Sequence, residues 1–178
     1  MARVRDNSGM DADSYAHLAR SDHALAPDAC AALAARAAAL VDVDGLERSG
    51  DGSATLLWRD EHSEGWLNTW WAARDTGFHD HDGSAVGVHV LRGVARNEGL
   101  VYGAARRVRA YGAGESFSFP ATGIHRMDHE AGAVTIHVYS PPLRAIGHYE
   151  LEDGELRRTS CAADEPTPPS AALSAALG

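Results

Sequence analysis

Val134-Thr135-Ile136-His137-Val138-Tyr139 alternates strictly between apolar and polar residues. Extended backbone turns successive side chains to opposite faces. Val134, Ile136 and Val138 therefore share one face, and Thr135, His137 and Tyr139 share the other. Two readings are open. In a half-exposed strand the polar face meets water. In a barrel it points inward, where hydroxyl, imidazole and phenol need partners and can form a hydrogen-bonded relay along the strand.

The flanking sequence supports a barrel or sandwich. From residue 53 onward, short β-rich stretches are separated by Gly, Asp and Asn. The candidate strands are residues 54–59, 65–72, 84–91, 94–101, 106–111, 116–119, 123–127, 134–139, 145–151 and 156–159. Many short strands at close spacing, with no helices between them, are the pattern of an all-β fold. Val86, Val88 and Val90 alternate with Gly87, His89 and Leu91, as in a strand with one face on a core. Trp58, Trp66, Trp70 and Trp71 cluster early in this region. Such a group suits core packing, and one member could instead narrow a cavity.

The first fifty residues read differently. Residues 1–10 lack structure-forming patterns, and 11–25 can hold a short helix. A stronger helix opens at Pro27-Asp28, with Asp28 as candidate N-cap and Cys30, Leu33, Ala37, Leu40 and Val41 at helical spacing; it is expected to end near residue 43. Cys30 lies on that apolar face and reads as a buried small residue rather than a reactive thiol. The domain reading is a helical segment over 1–50, a barrel over 51–159 and a flexible tail over 160–178. Within that tail, 171–177 can form a helical turn.

Composition narrows the function classes. The chain has 178 residues, enough for one domain with a proper core, and a formal net charge of −9. With no basic stripe, nucleic acid is not an expected partner. The basic residues are arginines and alanine is heavy, which we read as genome bias rather than function. Two distant cysteines, Cys30 and Cys161, make no disulfide framework and suit a reducing cytoplasm. No signal-peptide pattern or membrane-span run is visible, so a cytoplasmic location is expected, as a monomer or small homo-oligomer.

A second stretch carries the chemistry. In Thr76-Gly77-Phe78-His79-Asp80-His81-Asp82-Gly83-Ser84 the two histidines are two residues apart, so in extended backbone both imidazoles reach one point while Asp80 faces away. Imidazole is the commonest side-chain ligand for a first-row transition metal. A third histidine, His125, follows in Gly123-Ile124-His125-Arg126. Taken alone, His-x-His is a weak metal signal and reads first as a polar turn with incidental histidines.

These residues carry a resemblance. Gly77-Phe78-His79-Asp80-His81, with Val90-Leu91-Arg92-Gly93 after it, resembles the first cupin motif, and Gly114 to His125 the second. More narrowly, His79-Asp80-His81, Gly123-Ile124-His125-Arg126 and Ile136-His137-Val138-Tyr139-Ser140-Pro141-Pro142 resemble the cysteine dioxygenase family of thiol dioxygenases. The likeness runs over about residues 54–149. It implies a small cupin, a double-stranded β-helix or jelly-roll barrel, with His79, His81 and His125 as ligands of an Fe(2+) ion. Many cupins add a glutamate ligand soon after His-x-His; here Asp82-Gly83-Ser84-Ala85-Val86 offers none.

The resemblance also implies further roles. Tyr139 matches the active-site tyrosine and His137 its hydrogen-bonded partner. Thr135 stands where the family usually has serine, and keeps the hydroxyl. Some members crosslink the tyrosine to a cysteine at the position of Val86, which has no thiol. Arg59 is the candidate for binding a substrate carboxylate, with a surface arginine as the other reading. Arg126 is expected to point outward, opposite His125. The function implied is iron-dependent oxidation of L-cysteine, or a related small thiol carboxylate, by O2 to the sulfinate. Alternatives are 3-mercaptopropionate or a pathway-specific thiol as substrate, a metal-binding cupin without oxygenase activity such as a ligand sensor, and a structural barrel without metal.

Overall fold

The computed structural model describes residues 12–100, 107–152 and 155–162. Two helices, α1 (Ala12–Ala19) and α2 (Pro27–Ala38), precede twelve strands. These are β1 (Gly52–Arg59), β2 (Glu64–Trp70), β3 (Arg74–Asp75), β4 (His79–Asp80), β5 (Ala85–Arg92), β6 (Val94–Gly99), β7 (Arg107–Gly112), β8 (Ser116–Phe119), β9 (His125–His129), β10 (Ala133–Ser140), β11 (Ala145–Glu152) and β12 (Glu155–Ala162). The architecture is the small cupin barrel with an N-terminal helical segment that the sequence predicts. The last strand runs to residue 162, into the stretch expected to be tail. The expected disorder at 1–10 and the helical turn at 171–177 lie outside the described residues, as do residue 101 of one predicted strand and residue 106 of the next. Among the described residues no helix is long and apolar enough to cross a membrane.

Two antiparallel sheets form the barrel. One has the order β1-β2-β10-β5-β8, and the other β12-β11-β4-β9-β6-β7 with β3 also pairing β9. The very short strands β3 and β4 escape a reading based on alternation, because two residues carry no period.

The alternation of β10 resolves toward the barrel. Val134, Ile136 and Val138 join Leu33, Ala34, Ala37, Leu57, Trp58 and Leu67 in a core beneath the helices. Thr135, His137 and Tyr139 therefore face the interior. Val86, Val88 and Val90 pack inside the barrel against Tyr111, Phe117, Phe119 and Met127. The outer face of β5 has to be smooth, because α2 lies directly on it. A Cβ at Gly87 would sit inside the backbone of Cys30 and Ala31. Cys30 is fully buried there, and desolvation raises its thiol pKa to about 11, so it is inert at neutral pH.

Two expectations for α2 are corrected. Its N-cap is Ala26, not Asp28, with Pro27 in the first turn, where the missing N–H is not needed. Asp28 lies one position further in and accepts a hydrogen bond from Ser118 Oγ at 2.7 Å. The helix also stops at Ala38, short of residue 43. The N–H groups of Ala39 and Leu40 bond three residues back, to Arg36 and Ala37, which tightens and ends the last turn. Leu40 is consequently 44% exposed rather than part of the buried face.

Gly87→Ala should lower unfolding free energy by about 1–3 kcal/mol, since helix and strand must separate to admit one methyl. Equilibrium urea unfolding measures it; an unchanged midpoint would show that α2 is not seated on β5 as described.

Candidate metal centre

The two-residue strand β4 lies between β9 and β11, with His79 opposite both His125 and His148. His79, His81 and His125 are 8%, 4% and 2% exposed, and one candidate ligand atom from each lies within 4.8 Å of the others. Asp80, between the first two, turns the other way as the spacing requires. It accepts hydrogen bonds from Tyr149 Oη (2.6 Å) and from Arg158 Nε and Nη2 (2.7 and 2.8 Å). Arg158 holds its carboxyl well below the usual carboxylate range.

Hydrogen bonds on the far side of two rings select which nitrogen faces the centre. His79 Nδ1 lies 2.9 Å from the Gly77 carbonyl, an acceptor only, so Nδ1 carries the hydrogen and Nε2 a lone pair. His125 Nδ1 meets Asn97 Oδ1 at 2.6 Å, and its Nε2 is buried with no hydrogen-bond partner among the described residues. Desolvation moves the His79 pKa down to about 4 and those of His81 and His125 well below the ordinary value. All three rings are therefore neutral donors at neutral pH. An oriented, orphaned Nε2 beside two converging imidazoles fits a first-row transition-metal ion held by His79, His81 and His125.

The relay is present in the same interior. Trp70 Nε1, which can only donate, bonds Thr135 Oγ1 at 3.1 Å. Thr135 Oγ1 lies 3.1 Å from His137 Nε2, and His137 Nδ1 lies 3.2 Å from Tyr139 Oη. Trp70 takes one acceptor position of Thr135 Oγ1 and leaves its hydrogen free. In the Nδ1–H tautomer of His137, Thr135 donates to His137 Nε2, His137 donates to the phenol oxygen and the phenol hydrogen is left for the cavity; the other tautomer reverses both bonds. The ring centroids of Tyr139 and His81 are 5.2 Å apart. Burial lowers the His137 pKa to about 3 and raises that of Tyr139 strongly, so both are neutral. Val86 is the residue directly opposite Tyr139 on β5, which excludes a tyrosine–cysteine crosslink there.

A cavity of about 790 Å³ opens onto this group, lined by His79, His81, His137, Tyr139 and one face of β2 among others. The tryptophans divide evenly. Trp66 and Trp70 line the cavity; Trp58 packs under Tyr15, and Trp71 packs against the helix-side core beneath the guanidinium groups of Arg48 and Arg92. Arg59 faces Glu64 across the β1–β2 pair. Its Nε donates to Glu64 Oε2 at 2.5 Å, and its guanidinium lies 5.9 Å from the centre of the Trp66 ring. Arg59 itself is not among the lining residues and its side chain is 41% exposed. Arg126 points outward, to Asp75.

Three contributors have no counterpart in the sequence reading, and a fourth, Trp70, is read there only as one of the clustered tryptophans. Trp70 and Asn97 anchor the relay and a ligand from strands whose pairing the sequence does not reveal. His148 lines the cavity beside His79 with both ring nitrogens buried and without partners among the described residues. Its two-residue spacing from Ile146, also on the wall, was the available signal. Glu64, one position before a predicted strand, is fully buried on the cavity wall.

Comparison with known proteins supplies the family. No curated protein gives a significant match. Among solved structures the chain is similar to KdgF from Halomonas sp. (15% identity, TM-score 0.45, covering 54% of this chain and 84% of that one). It is also similar to TT1209 from Thermus thermophilus (18%, 0.47, 57% and 96%) and an RmlC-like cupin from Shewanella frigidimarina (18%, 0.44, 53% and 80%). The family model for cysteine dioxygenase type I matches residues 54–153, more than half of the sequence, from within β1 through the end of β11. The chain belongs to the cysteine dioxygenase type I family.

Proposed function

We propose that the protein is an iron-dependent thiol dioxygenase that converts L-cysteine, or a related small thiol carboxylate, to the sulfinate. One observation carries this reading: two members of a cluster of three neutral histidines, His79 and His81, line one cavity with His137 and Tyr139 of a hydroxyl–imidazole–phenol relay. A protein that only stores or senses a metal has no use for the relay. The overall change is RSH + O2 → RSO2H, with sulfur oxidised by four electrons and both oxygen atoms retained. Iron(II) on three uncharged imidazoles would supply electron transfer between a coordinated thiolate and dioxygen.

The chain's own groups do the rest. His79, His81 and His125 would hold the ion. Tyr139 directs a hydroxyl hydrogen at the negative charge that develops on sulfur or oxygen, and His137 and Thr135 keep the phenol from turning. Arg59 anchors the carboxylate of the thiol through its terminal nitrogens, which have no partner among the described residues. The test is anaerobic loading with iron(II), followed by oxygen uptake and sulfinate analysis over a panel of thiols. Absence of uptake with every thiol would overturn the reading.

Three further outcomes are expected. His79→Ala or His125→Ala should lose most bound iron with the fold intact, read by metal analysis and circular dichroism; full iron content in both would remove the assignment. Arg59→Ala should raise KM for thiol carboxylates by about one to three orders of magnitude, and change that for a carboxylate-free thiol amine far less. Equal losses would make Arg59 structural. Tyr139→Phe should keep iron and thiol affinity near wild type and slow turnover by about ten- to a hundredfold. Wild-type turnover in that variant would favour a metal-binding cupin without oxygenase activity.

A further inference from the structure

We propose that the outer half of the cavity is a subsite for an acyl extension on the nitrogen of a cysteine-type thiol, joined by an amide and ending in a charged amino acid group. The inference rests on the thiol dioxygenase reading and names a substrate class for it. The first observation is size. The cavity of about 790 Å³ extends from His79 and His81 to Arg74. Pockets of about 300–1,000 Å³ hold drug-sized ligands, so a free thiol acid leaves most of this one to water.

The second observation is His148. It stands directly opposite His79 and lines the same cavity. It is 6% exposed, and both ring nitrogens are buried without a hydrogen-bond partner among the described residues. A neutral imidazole offers one donor and one acceptor, and leaving them unmet is costly. An amide complements such a ring whichever nitrogen carries the hydrogen, because it has both a carbonyl oxygen and an N–H.

Arg74 and Asp51 supply the outer end. The β3–β9 register puts Arg74 opposite His129, on the face of β9 that also carries His125 and Met127. Its guanidinium is on the cavity wall, exposed and without a partner among the described residues. The Asp51 carbonyl accepts from the Ala72 N–H, which places Asp51 at the same end, and its carboxylate is likewise unpaired among the described residues. The four residues from His125 to His129 span about 13 Å of strand. A free thiol acid held by its sulfur at the histidines does not cover that distance. A γ-glutamyl group on the nitrogen lengthens it and ends in a carboxylate and an ammonium, the complements of Arg74 and Asp51.

Affinity tests this. Protein loaded with zinc(II), which is redox-inert, is titrated by calorimetry with L-cysteine, N-acetyl-L-cysteine and γ-L-glutamyl-L-cysteine. The last two share the amide and differ in the charged end. Wild type is expected to bind the γ-glutamyl form about three- to tenfold more tightly than the N-acetyl form. Arg74→Ala should erase that difference and leave L-cysteine unchanged, while Arg74→Lys keeps part of it. His148→Leu should weaken both acylated thiols by about tenfold and L-cysteine far less. If Arg74 is only a solvated surface arginine, wild type binds the two acylated thiols alike, or Arg74→Ala weakens all three equally; either result overturns the subsite, as does exclusion of both acylated thiols. If His148→Leu does not fold, the Arg74 variants, altered at an exposed position, decide alone. Failure of zinc-loaded wild type to bind any thiol, L-cysteine included, would instead overturn the dioxygenase reading itself.

Discussion

The seating of α2 on the five-stranded sheet is the constraint on which the interior chemistry depends. A sheet in a small barrel has two faces, and only one can be the inside. The helix covers the outer faces of β5 and β10 and takes Val134, Ile136 and Val138 for its own core. With that face occupied, Thr135, His137 and Tyr139 have nowhere to go but inward. Gly87 permits the approach. Ser140, at the end of β10, ties the arrangement together: its Oγ accepts from the Leu25 N–H ahead of α2 and donates to the His62 carbonyl. The apolar half of an alternating strand thus determines where its polar half works.

Burial then sets the protonation states. Six histidines, 79, 81, 125, 129, 137 and 148, are buried, and desolvation lowers the pKa of every one. Charged imidazoles at this density would repel one another as well as forgo hydration. Neutral rings are what a metal site and a hydrogen-bond relay both require. His129, stacked on Trp70 with ring centroids 4.0 Å apart, extends the same neutral environment beneath the relay.

Much of this was legible in the sequence, for identifiable reasons. The alternation over residues 134–139, the two-residue spacing of His79 and His81, and the turn residues between short strands all express local periods. They place the barrel and, with the family resemblance, the three ligands and the relay. What the sequence does not disclose is pairing across strands. Asn97 orients His125 from β6, Trp70 anchors the relay from β2, and Glu64 meets Arg59 across a hairpin; none of these contacts leaves a period along the chain. The boundaries of α2 were misread for a similar reason. Asp28 is a good N-cap by type, but its carboxylate is engaged by Ser118 on β8, a contact that only the folded sheet supplies.

The His-x-His pair also depends on support from behind. β4 is two residues long, and so short a strand has little hold on two ligands by itself. Its backbone is clasped on both sides, by β9 and β11, and Asp80 is fixed by three hydrogen bonds from Tyr149 and Arg158. Arg158 belongs to β12, the last described strand, and reaches Asp80 by crossing Gly147, where a Cβ would collide with its guanidinium. It also bonds Asp82 at 3.0 Å, just past the second ligand. The C-terminal hairpin is therefore part of the outer support of the candidate metal centre rather than an appendage. Alternation sends one residue of every strand triplet away from the site; here that residue is a carboxylate, and the hairpin uses it to hold the two imidazoles on either side.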